Sequence, residues 1–220
     1  MTRERASGLA LIAGTAAMIV TMLFHPTAHD LFAPGAFDAG ARRNVLAHSL
    51  ALSGLPLSFL GALGLTRRLT RAPSLALGGL VLYGFACVGV MIAAVASGLV
   101  ATDLAGEIVA AGGKANETQA ALFHFNGSLN QAFAKVYVVG SSLAILAWSL
   151  AILRGGELAR ALGVYGCVLA PVTLFALLSG HVQLDVHGFG AIVLGQALWL
   201  ASCGTLLLRH KGGAPAALSP

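Results

Sequence analysis

The sequence predicts an all-α polytopic membrane protein, six transmembrane helices in one bundle with both termini in the cytoplasm. Three observations carry this. Of 220 residues, 57% are hydrophobic and only 10% are charged, whereas charged residues supply about a quarter of a soluble domain. Mean hydropathy is +0.85. The apolar residues come in long blocks, at about 7–24, 45–65, 75–101, 131–153, 161–180 and 188–208, each near the ~20 residues that cross ~30 Å of hydrocarbon.

Arg3 and Arg5 precede the first block, but that block exceeds the apolar run of a secretory signal and lacks a small-x-small cleavage site, which predicts an uncleaved first helix. The segments Thr66-Arg-Arg-Leu-Thr-Arg71, Arg154-Gly-Gly-Glu-Leu-Ala-Arg160 and Arg209-His-Lys211, with Arg3 and Arg5, hold nine of the thirteen basic residues. Lys and Arg are retained on the cytoplasmic side during insertion, so these segments mark the cytoplasmic ends. The net charge of +5 is thereby a topological signal, and no nucleic-acid patch is indicated. Cys87, Cys167 and Cys203 fall singly inside apolar stretches, which points to packing and not to a disulfide framework or thiolate site. Pro56 and Pro171 fall well inside the second and fifth blocks and are expected to kink them. Two helix–basic turn–helix hairpins look alike, Leu60 to Gly84 and Leu150 to Gly166. Any short cytoplasmic turn would carry Arg between such blocks, so no repeat is inferred. The tail 212–220 reads as disordered.

The one long connection, 102–130, lies on the outer side. Leu104 to Ala111 reads there as a short interfacial helix, with Gly112-Gly113 and a polar run to Gln119 as a turn. A loop of this length on a bundle is often functional.

On this topology His25, His29, His48, His124, His181 and His187 all fall at the outer end, and only His210 is cytoplasmic. Six of the eight acids, Asp30, Asp38, Asp103, Glu107, Glu117 and Asp185, share that end. His48 lies a full turn inside the second helix and Asp103 closes the third, and ionisable groups at such depth are costly unless they face the interior and find partners. His25 ends the first helix, His181 ends the fifth and His187 opens the sixth. For His29, Asp30, Asp38, Glu107 and Glu117 a headgroup or loop position is explanation enough. Along the fourth helix and its polar entry, Asn126, Asn130, Tyr137 and Ser141 recur at helical spacing on one side; Ser141 and Ser142 suit interhelical hydrogen bonds, while Asn130 and Lys135 suit the orientation of neighbouring groups or a headgroup.

Imidazoles and a carboxylate without thiolates favour zinc, with iron or copper as alternatives. The metal ligands expected are His48, His181 and His187, joined by His25, His124 and Asp103, with Asp103 as ligand or as catalytic base to a zinc-bound water. At headgroup depth such a centre suits hydrolysis of a lipid ester or amide, membrane lipids being the natural partners. A haem b held between His48 and His181 in an electron-transfer protein is a second possibility, and a non-catalytic membrane subunit or metal-handling protein is a third. The cytoplasmic halves of the helices carry no carboxylate or histidine, which counts against ion transport.

Polar groups gathered at one end of a helical bundle, with Asn44-x-x-x-His48 and the pair His25 and His29, resemble the ceramidase and adiponectin-receptor type of membrane hydrolase. Helix count, order and the missing serine differ, so no residue role is carried over. The runs Arg43-Asn-Val-Leu-Ala-His-Ser to Arg68, and Asn130-Gln-Ala-Phe-Ala to Arg154 followed by Leu162-Gly-Val-Tyr-Gly, resemble a group of six-helix bacterial membrane proteins classed as a domain of unknown function. That resemblance implies the architecture and a bacterial inner membrane, and no activity.

Overall fold

A computed structural model describes residues 2–25 and 37–209. They form six helices long and apolar enough to cross a membrane: α1 (Arg3–Phe24), α2 (Phe37–Arg68), α3 (Pro73–Ala110), α4 (Glu117–Gly155), α5 (Arg160–Leu178) and α6 (Val186–Arg209). No strand occurs among the described residues. The tail 212–220, His29, Asp30 and His210 lie outside them.

Consecutive helices run antiparallel. Gly14 of α1 abuts Ser58 of α2, while Thr21 Oγ1, further along α1, donates to Ala47 O, earlier on α2, at 3.0 Å. Ser58 in turn shares a hydrogen bond with Tyr83 Oη of α3. The helices make two layers of three, α2–α1–α6 and α3–α4–α5, joined where α2 lies on α3 and α6 on α5. The middle helices α1 and α4 thus face each other across the interior.

The two ends of the bundle differ. Arg3, Arg5, Arg67, Arg68, Arg71, Arg154, Arg160 and Arg209 share one end, and there the interlayer space is filled by Trp148 and Trp199, stacked with ring centres 6.1 Å apart and planes within 9°. Both indoles are fully buried, and each N–H has an acceptor: Trp148 Nε1 donates to Thr66 Oγ1 (3.1 Å) and Ala76 O (3.0 Å), Trp199 Nε1 to Leu162 O (3.1 Å). That matters in hydrocarbon, where an unpaired donor costs several kcal/mol. Midway, Gln196 of α6, 1% exposed, accepts from Ser141 Oγ (2.9 Å) and donates to Ser142 Oγ (3.1 Å) of α4. The two serines therefore tie the layers together, as their interhelical spacing suggested, and Gln196 is the partner that a search confined to ionisable residues passes over.

At the arginine-rich end Glu157 joins two turns. Its carboxylate accepts from Thr70 Oγ1, from Thr70 N (3.1 Å) and from Arg71 N (3.4 Å), and Arg71 Nη1 returns a bond to Gly155 O (2.9 Å). Partial burial works against ionisation, but the bonds from Thr70 and Arg71 and the charge of Arg68 outweigh it, holding the carboxyl below its ordinary range. A carboxyl depressed in the folded state adds stability above its unfolded pKa of about 4.3 and loses it as pH falls through the folded value. Glu157→Gln should therefore lower the thermal midpoint at pH 7 by less than about 1 kcal/mol equivalent, because the group is near water. The gap from wild type should shrink below pH 4 in a thermal melt; a gap that is flat with pH refutes the assignment.

The end opposite the arginines departs from the expected long loop. α3 does not stop near 101 but runs on to Ala110 through a π-helical turn, Ala96–Val100, and α4 begins at Glu117 instead of 131. The connection shrinks to 111–116, with Gly112 and Gly113 at φ 92° and 79° in the left-handed region that glycine adopts without strain. A reciprocal capping box explains the early start of α4: Asn116 Oδ1 accepts from Gln119 N (2.8 Å) and Gln119 Oε1 from Asn116 N (3.0 Å). The residues between, polar enough to read as a loop, include the face of α4 that lines the site described next.

Candidate functional site

Opposite the arginine-rich end, α1 and α4 stay apart and enclose a cavity of about 360 Å³, in the size range of small-molecule sites. Every helix but α5 contributes residues at helical spacing: Met18, Thr21, Met22 and His25 from α1; Asn44, His48 and Ala51 from α2; Val90, Ala94, Ser97 and Ala101 from α3; Asn126, Asn130 and Ala134 from α4; Phe189 and Val193 from α6. Leu184 and Asp185, from the link between α5 and α6, close it above. Gln131 Nε2 holds this link by a bond to Leu184 O (2.9 Å).

His48 is 3% exposed. Its Nδ1 lies 2.9 Å from Asn44 O, one turn back on α2. A carbonyl only accepts, so the ring's proton is on Nδ1, and the neutral imidazole presents a bare Nε2. His25, at the end of α1, stands edge-on to it, ring centres 4.7 Å apart and planes at 66°. Beneath His48 the π turn sets the local backbone. A π turn replaces i→i+4 bonds with i→i+5 bonds, as from Ala101 N–H to Ala96 O, and side chains add donors to its carbonyls here: Asn126 Nδ2 of α4 to Ala96 O (2.9 Å), Asn44 Nδ2 of α2 to Ser97 O (2.9 Å) and Thr102 Oγ1, on α3 itself, to Gly98 O (2.7 Å). Asn44 Nδ2 also reaches Thr102 Oγ1 at 2.9 Å. Asn44 thereby does two things at once, orienting the imidazole through its carbonyl and bridging α2 to α3 through its amide.

The remaining expected residues do not join them. Asp103 is exposed, because α3 turns its neighbours Thr102 and Ala105 inward. His187 is exposed while Val186 and Phe189 line the cavity. His124 is exposed beside the lining residues Phe123 and Asn126. His181 is taken up locally, its Nδ1 2.6 Å from Ser179 Oγ and its ring stacked on Phe175 at 6.1 Å. The set of His48, His181 and His187 with Asp103 is therefore not assembled among the described residues, nor is a His48–His181 pair that would face across a haem. Among these residues no three His, Cys, Asp or Glu side chains gather to hold a metal ion. The carboxylate that does line the cavity is Asp185, whose Oδ1 caps α6 by accepting from Gly188 N (2.7 Å).

Comparison with protein-family models, with curated proteins and with solved structures finds no match for this chain.

Proposed function

We propose that this multi-pass membrane protein binds a divalent cation, zinc in first place, on His25 and His48, and through it a lipid-derived substrate carrying an ester or amide for hydrolysis. The observation that carries the reading is the imidazole pair inside a cavity. Two imidazoles on one tetrahedral zinc ion, with Zn–N near 2.0–2.1 Å, put their ring centres roughly 5 Å apart, close to the 4.7 Å between these rings. The bond from His48 Nδ1–H to a backbone carbonyl is the arrangement that fixes the tautomer of a ligating histidine. The other coordination positions fall to water and substrate, and Asp185 takes the proton-accepting place expected of Asp103. Haem is supported less well, since its two imidazoles must stand on opposite faces of a macrocycle and these rings meet edge to face. We read the arginine-rich end as cytoplasmic, which places both termini there and the cavity at the outer face of a bacterial inner membrane.

Elemental analysis and an absorption spectrum of detergent-purified protein test this. Wild type should carry roughly one zinc ion per chain and no Soret band. His48→Ala and His25→Ala should lose the zinc while remaining folded, and His181→Ala and His187→Ala should keep it. Wild type without zinc above background, or equal loss in His187→Ala and His48→Ala, overturns the assignment.

A further inference from the structure

α3 and α4, at 38 and 39 residues, run for about 57 Å, far more than the ~30 Å of hydrocarbon, so one end of each stands well clear of it. The arginines fix which end, since they mark one hydrocarbon boundary. Counted at about 1.5 Å per residue from Arg5, Arg68, Arg154 and Arg209, Met18 and Val193 lie roughly 20–24 Å up, His25, His48 and Ala134 about 30 Å, and Asn44, Asn130 and Asn126 about 36–42 Å. The cavity therefore straddles the far hydrocarbon boundary, with the imidazole pair at that level.

Polarity changes at the same level. Thr21 apart, whose hydroxyl bonds to Ala17 O and Ala47 O, the polar residues of the lining stand level with the imidazoles or above them: Asn44, Ser97, Asn126, Asn130, Gln131 and Asp185. From the imidazoles down the lining is apolar, first Met22, Val90 and Ala134, then Met18 and Val193. This lower part is about 10 Å deep, the length of roughly eight carbons when each single bond advances a chain by about 1.3 Å. Among the described residues the exposed part of the lining is Gly127, Gln131 and Asp185, all above the boundary. The mouth thus opens between α4 and the α5–α6 link, where the surroundings are headgroups and water.

From this gradient we infer the substrate class of the site: an amphiphile with a polar head and one apolar arm of no more than about eight carbons, taken up arm first through the mouth from the aqueous side. Its head meets the asparagines and its arm lies on Met18 and Val193. The ester or amide joining the two then stands at His25 and His48. The inference rests on the cavity being the ligand site proposed above, and it restricts the substrate to short-chain molecules that water can carry to the mouth.

The test uses the full chain in detergent, with octylglycerol ether as the short probe and oleylglycerol ether as the long one, and binding followed by native mass spectrometry. Ethers leave nothing to hydrolyse, so binding is read without turnover. Wild type should prefer the octyl ether by about tenfold or more, against the greater hydrophobicity of the longer chain. A Cβ at Gly127 meets nothing within 4 Å, so Gly127→Trp sets an indole in the mouth without displacing a neighbour and should weaken the octyl ether by about tenfold. Gly127→Leu is the second variant should the first fail to fold, and Gly127→Ser, too small to obstruct, should bind as wild type does. Equal or tighter binding of the oleyl ether, no saturable binding of the octyl ether, or undiminished binding in the two larger variants overturns the inference. Zinc content measured on the same samples separates the two readings: zinc retained without chain-length preference sinks the substrate class alone, whereas preference without zinc supports it and sinks the metal site.

Discussion

Gly61→Leu should abolish the folded bundle, or lower its stability by about 3 kcal/mol or more, the upper range for overpacking where nothing can yield. A Cβ at Gly61 would stand 2.5 Å from the N, Cα and Cβ of Leu11. The first two of those atoms are backbone, so relief requires moving α1 bodily off α2. The same seam has Gly14 against the Ser58 backbone and Gly54 against Ala17, which means that a shift at Gly61 is resisted along the whole contact. This is how membrane helices associate without a hydrophobic driving force: small residues let backbones approach and dispersion accumulates over the interface. Gly78 is the control, since a Cβ there meets nothing within 4 Å, and Gly78→Leu should stay within about 0.5 kcal/mol of wild type. The fluorescence of the stacked Trp148 and Trp199 followed through a thermal melt reads both variants. Similar midpoints for the two would show that α1 and α2 are not locked in this way.

The seam also shows what a sequence makes legible in such a chain and what it does not. Six crossings follow from block length and hydropathy alone, because spanning hydrocarbon is a one-dimensional requirement, and the described residues form six helices of that kind. Depth is legible for the same reason: His25 and His48 were expected at one level and stand 4.7 Å apart. Azimuth is a different quantity. Whether Asp103 or its neighbour Thr102 faces inward depends on how α3 is rotated against α2, and one residue turns a side chain by about 100° around the helix. His187 beside Val186 fails for the same reason, as His124 does beside Phe123. A sharper signal was present in the uncharged polar residues. Asn44 with His48, and Asn126 with Asn130, recur four apart, which fixes a face without any assumption about charge. The long outer connection was misjudged because polarity was taken for exposure; Asn126, Asn130 and Gln131 are polar because they line a cavity. The π turn has no counterpart in hydropathy; the asparagine amides that bond its carbonyls come to it from α2 and α4.

That turn is where the second large effect is expected. Gly98 lies beneath the imidazole so closely that a Cβ would stand 2.2 Å from His48 Cβ and 2.3 Å from Cγ. Gly98→Ala therefore displaces the ring while leaving every polar lining residue in place. The zinc affinity proposed for the pair should fall by about tenfold or more, the scale on which groups that orient a ligand act, with a stability loss of about 2 kcal/mol from overpacking. Asn126→Ala divides the contributions. It removes the side-chain donor to Ala96 O, which keeps its backbone bond from Ala101 N–H, and so should cost about 1 kcal/mol, the net worth of one hydrogen bond, but introduces no atom near His48. Zinc titration of the folded fraction and a thermal melt on each variant give two independent axes. Gly98→Ala should move both, and Asn126→Ala mainly the melt. If Gly98→Ala lowers the melting point yet binds zinc as wild type does, the glycine is only a packing residue of the α2–α3 contact. The seating of His48 is then set by its bond to Asn44 O and its contact with His25.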